Sequence, residues 1–181
     1  MFPTPYLRGC FAQGVLLVTL IAGFPHSGAA QIESARDAER TTALLAIKDG
    51  ELAAAVYRAV RGATRRLERS SCAAVLGSFA DAGGRPLTDV LASLALTPAE
   101  SFSRIIFRDG RDAATCRSTP AVAFTGPGSR VVFVCGTRFA TIERARAEEV
   151  VIHEMLHTLG LGERPPTSGE IDRSVARHCA S

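Results

Sequence analysis

The stretch from Ile142 to Gly160, IERARAEEVVIHEMLHTLG, constrains this chain more than any other. Val151, Ile152, Met155, Leu156 and Leu159 recur at the three-four spacing of one helix face, so this stretch is read as a helix anchored in the core. Gly160 is placed to end it, because glycine accepts the left-handed turn that closes helices. Residues four apart share a helix face, so His153 and His157 point the same way, out of the packed face and toward a cleft.

Two imidazoles on one helix face can grip one cation, and zinc is the ion such a pair favours. Glu154 is offset from His153 by about 100° and stands three residues before His157. From there it leans over a metal without ligating it. Zinc lowers the pKa of a bound water toward neutrality, and a neighbouring carboxylate can take its proton during attack on a carbonyl. The same carboxylate can return the proton to a leaving amine. The plain alternative is a pair of histidines hydrogen-bonded on a helix surface.

HEMLHTLGLGE resembles the extended zinc-binding motif of the metzincin peptidases, His-Glu-x-x-His-x-x-Gly-x-x-His. His153, Glu154, His157 and Gly160 match it, and Glu163 stands where that family carries its third histidine. Snapalysin-type enzymes similarly place an acid there. The resemblance implies a zincin fold, one zinc ion held by His153, His157 and Glu163, Glu154 as general base, and hydrolysis of peptide bonds. It also implies that an edge strand binds substrate in extended form, with RVVFVC or its neighbour in that role. The chain departs from the family in lacking a methionine turn, since its two methionines are Met1 and Met155, and little chain follows Glu163. Glu170, His178 and Asp172 compete with Glu163 as the third ligand. Thr167-Ser168-Gly169-Glu170 has the spacing of a capping box, which gives Glu170 a structural role at a helix start. Tyr57, Arg138 and Arg164 are the candidates for stabilising an oxyanion.

The chain opens with an export-type leader, residues 1–30. Arg8 precedes the apolar run CFAQGVLLVTLIAGF, and HSGAA offers small residues for cleavage before Gln31. The run is short for a membrane span. Of five cysteines, Cys10 belongs to the leader. Four remain, an even number that in an exported domain reads as two disulfides. The preferred pairing is Cys116–Cys135, stapling two neighbouring strands, with Cys72–Cys179, tying the chain's end to its first half. A net charge of +3 and the absence of tryptophan give no footprint for nucleic acid.

Residues 31–181 are read as one α+β domain with a single core. Residues 31–100 are mainly helical, rich in Ala, Leu, Glu and Arg over 33–69, with a break at Gly50. The Arg61, Arg65, Arg66, Arg69 group reads as a solvated face. PLTDVLASLAL reads as a short helix, and Thr97-Pro98-Ala99-Glu100 as a helix start. Residues 101–140 hold the β-branched runs RIIFRDG, AVAFTG and RVVFVC, expected to form a small, mostly antiparallel sheet. The helix over 142–160 and a short C-terminal helix follow. These readings lead to the expectation of a secreted or periplasmic zinc metallopeptidase acting on peptide or protein substrates, with no stable membrane anchor once the leader is removed. The rival expectation is a non-catalytic, zinc-stabilised binding or structural protein of the cell envelope.

Overall fold

A computed structural model of the chain describes residues 43–180. The expected leader and the start of the expected first helix lie outside the described residues. The fold is α+β, with a small four-stranded sheet and helices at both ends. Its strands are β1 (Leu44–Ala46), β2 (Ile106–Asp109), β3 (Ala123–Phe124) and β4 (Val131–Val134). Its α-helices are α1 (Gly50–Leu67), α2 (Ser70–Ala73), α3 (Leu87–Ser93), α4 (Ala114–Ser118), α5 (Thr137–Thr141), α6 (Arg144–Thr158) and α7 (Ser168–Cys179).

Helix α6 is the spine of the molecule, since every residue from Val150 to His157 is buried. Val151, Ile152, Met155 and Leu156 are fully enclosed. Burying each such side chain contributes about 1.5–3 kcal/mol, so the helix stays fixed whatever its polar residues do. Helix α1 packs against it through Leu52, Val56, Ala59, Val60, Ala63 and Leu67. Asp49 caps α1 by accepting from the N–H groups of Glu51 and Leu52 at 3.1 Å, so the expected break at Gly50 is the helix's first residue. Gly62 lets the two helices meet, because a Cβ there would collide with the Glu148 carboxylate.

The sheet order is β1-β2-β4-β3. Pairs β1–β2 and β2–β4 are parallel and β3–β4 is antiparallel. The expectation of a mostly antiparallel sheet is therefore corrected. The two hairpin strands around Thr125–Ser129 are antiparallel as their short turn requires, whereas β2 reaches β4 across α4 and β3, and a longer connection permits parallel pairing. Residues 44–46 were expected to be helical and instead form β1. Three residues of good helix formers are overridden by an open sheet edge at β2. Phe107, Val132 and Val134 join the same apolar cluster as α1 and α6.

Cys72 pairs with Cys179 and Cys116 with Cys135, with Cα–Cα separations of 4.3 and 5.3 Å. Cys116 sits in α4 rather than on a strand, so that bridge joins a short helix to the end of β4. The arginines of α1 divide between two roles. Arg66 is buried, with its Nε donating to Glu148 at 2.8 Å and its Nη1 to the Cys179 carbonyl at 3.0 Å. Arg69 donates to the carbonyls of Cys179 and Ala180. Those two cations hold the last turn of α7, where orphan carbonyls need donors, while Arg61 and Arg65 stay solvated.

Candidate metal centre

His153 and His157 stand on the cleft side of α6, yet are only 6% and 4% exposed. The helix ends where Gly160 adopts a φ of +104° and donates to the His157 carbonyl at 2.9 Å. The same turn returns the chain toward the histidines. Leu161 offers its carbonyl to His157 Nδ1 at 2.7 Å, and Glu163 places Oε1 at 3.1 Å from His157 Nε2 and 3.6 Å from His153 Nε2. The two Nε2 atoms lie 3.0 Å apart.

Hydrogen-bond inventory decides what this cluster wants. A carbonyl only accepts, so His157 Nδ1 carries the hydrogen and its Nε2 presents a lone pair. His153 Nδ1 lies 2.8 Å from Asp172 Oδ1 and donates to that carboxylate. Its Nε2 faces the cluster as well. With His153 neutral, two lone pairs and a carboxylate oxygen converge on one point, an arrangement that a cation can fill. His153, His157 and Glu163 can hold a metal ion, their ligand atoms lying within 4.8 Å of one another. Among the described residues no fourth His, Cys, Asp or Glu joins them.

The electrostatics distinguish the two histidines. Burial pulls the His153 imidazole down, but the Asp172 hydrogen bond and the charges of Glu154, Asp172 and Glu163 outweigh it, and the net shift is upward. For His157 burial prevails and holds it below the ordinary imidazole value. The hydrogen bond from His153, then that from Arg146, brings Asp172 down to about 2. Arg146 Nη2 donates to Asp172 Oδ2 at 2.6 Å, so the carboxylate is held from both sides. His153 thus favours its proton while His157 gives its proton up readily.

Glu154 is 5% exposed, and its Oε2 is buried without a hydrogen-bond partner. Burial is the main cause that pushes its carboxyl up to about 7; the charges of Glu163 and Asp172 add to it, while His153 and the Thr125 N–H oppose it. A buried carboxylate oxygen without a partner among the described residues is costly.

The other candidates lie elsewhere. Glu170 completes the capping box of α7, accepting from the Thr167 N–H at 2.8 Å while the Thr167 hydroxyl accepts from the Glu170 N–H. Asp172 touches the outer nitrogen of His153, not the one that faces His157 and Glu163. His178 lies beside Ser78. Tyr57 is half-exposed on α1 with Arg61 over its ring, and Arg138 donates to the carbonyls of Thr119 and Cys116. Arg164 does line the cleft. That cleft, about 590 Å³, also takes in Asp81, Thr125, Pro127, His157 and Glu163. Sequence reasoning missed the Asp172–Arg146 support and the carbonyl of Leu161. The first joins two helices across 26 residues and leaves no trace in local spacing.

Comparison with protein-family models, with curated proteins and with solved structures finds no match to this chain.

Proposed function

We propose that this protein is an exported zinc-dependent peptidase with His153, His157 and Glu163 as ligands and Glu154 as general base. Zinc bound to tetrahedral N and O ligands at about 2.0–2.2 Å keeps neighbouring donor atoms roughly 3.3–3.5 Å apart. The separations of 3.0, 3.1 and 3.6 Å lie on either side of that range, so small shifts of the side chains would bring all three donors to one ion. The observation that carries the catalytic reading is the three-ligand count. A structural zinc site is closed by four protein ligands, whereas a catalytic one keeps a position for water or substrate. Glu170, Asp172 and His178, the groups a closed site would recruit, are engaged elsewhere. That favours the enzyme over a zinc-stabilised binding protein.

Zinc, when bound, supplies a Lewis acid that polarises a carbonyl and makes a water acidic. The chain supplies the remainder. Asp172 and Leu161 fix both imidazoles with Nε2 presented. Glu154, buried and with its Oε2 unpartnered among the described residues, is placed to take a proton and to deliver it to a leaving amine. The resemblance of HEMLHTLGLGE to the metzincin motif supports the same assignment of roles.

The two disulfides fit an oxidising, extracellular environment. Among the described residues no helix is long and apolar enough to cross a membrane. Export by way of the leader at residues 1–30 to the periplasm or medium is part of the same proposal.

The test is hydrolysis of a mixed set of quenched fluorescent peptides. Glu154→Gln is expected to keep zinc and lose about 10²–10⁴-fold in rate. Undiminished cleavage by Glu154→Gln would overturn the assignment.

A further inference from the structure

Of the charged groups lining the cleft beside the candidate metal centre, Arg164 alone lacks a partner among the described residues. Asp81 is already neutralised, its carboxylate accepting from the N–H groups of Gly83 and Arg85 at 2.9 Å and from Arg85 Nε at 3.3 Å. Glu163 is turned to the histidines. Arg164, the next residue, lines the same cleft and is exposed, yet among the described residues it enters no hydrogen bond or ion pair. Pro165 and Pro166 follow it, and their rings restrict the backbone that carries it. Elsewhere around this site the cations are spent: Arg146 on Glu149 and Asp172, and Arg66 and Arg144 on Glu148.

From this we infer that Arg164 is a specificity residue that recognises a carboxylate on the substrate, on a residue close to the bond that is cut. Arg164 follows a candidate ligand in the chain and lines the same cleft, so its guanidinium can meet a substrate residue bound beside the site. A guanidinium fits a carboxylate through two parallel hydrogen bonds, which no neutral side chain reproduces. The carboxylate comes either from an internal Asp or Glu or from the substrate's own C-terminus, and one arm of the test separates these sources. This inference rests on the peptidase reading of the site.

The test uses short peptide hydroxamates, which bind a zinc centre without being cleaved, and the intact zinc-loaded protein. Four probes suffice: a Glu or a Gln residue next to the hydroxamate, each with a free or an amidated C-terminus. The expected result is roughly three- to tenfold tighter binding of whichever carboxylate Arg164 meets, the scale of a charge-assisted pair in a half-open cleft. Arg164→Gln removes that preference, Arg164→Lys keeps part of it, and Arg164→Glu reverses it. Arg164 has no partner to lose, so these variants fold. Equal binding of all four probes to wild type, or a preference that survives Arg164→Gln, overturns the inference and leaves the metal centre standing. Failure of every probe to bind the zinc-loaded protein overturns the peptidase reading together with the inference.

Discussion

Asp172→Ala isolates what holds the metal centre in shape. The wild-type carboxylate receives the His153 Nδ1 hydrogen at 2.8 Å and is braced by Arg146 at 2.6 Å. A hydrogen bond to a charged group is worth about 1.5–3 kcal/mol. The Asp172 side chain is 32% exposed, so solvent screening places the value in the lower half of that range. About 1.5–2 kcal/mol corresponds to a roughly 10–30-fold loss of zinc affinity, within the 10–100-fold range for groups that orient a metal-bound histidine. Competition against a chromogenic zinc chelator at pH 8, with wild type and variant side by side, measures this. Arg146→Gln, which removes only the brace, should cost less than tenfold. Reasoning of this kind fails if folded Asp172→Ala binds zinc within twofold of wild type.

Two further expectations concern stability. Removing the Cys72–Cys179 bridge, which closes 107 residues, should cost about 4.8 kcal/mol, against about 3.2 kcal/mol for Cys116–Cys135, which closes 19; urea unfolding of the two double Cys→Ala variants checks the order, and equal losses would contradict it. Asp49 is held below its ordinary value by the Arg111 hydrogen bond and then by the Leu52 N–H, so its contribution is present above the unfolded carboxylate pKa and lost as pH falls through the lower folded one. Asp49→Asn keeps the cap and should flatten the acid side of the stability curve, seen as urea midpoints between pH 6 and 2.5; an unchanged slope would refute it.

Local features were legible in the sequence because their physics is local. The helix face of Val151, Ile152, Met155 and Leu156, the stop at Gly160 and the capping box at Thr167 each depend on residues within one turn, and each stands where expected. The preferred cysteine pairing matches both disulfides, although Cys116 stands in α4 rather than on the strand that pairing assumed. Direction and partnership were not legible. The run RIIFRDG announces a strand but not that β1 and β4 will flank it in parallel. Leu44–Ala46 carries helix-forming residues and becomes a strand only because β2 offers an edge. Arg66 looks like part of a solvated face, and only the approach of Glu148 and the Cys179 carbonyl explains its burial. Asp172 was weighed as a ligand, yet the packing of α7 on α6 brings it to the outer nitrogen of His153.

The central claim is that three side chains converge on one metal ion. Zinc content of the gently purified protein, read with the zinc X-ray absorption spectrum of wild type and Glu163→Ala, tests it most directly. The account predicts one zinc per chain, two histidine nitrogens and a carboxylate oxygen in its shell, and loss of that oxygen with markedly weaker binding in Glu163→Ala. No bound zinc in wild type, or a shell unchanged by Glu163→Ala, would contradict it.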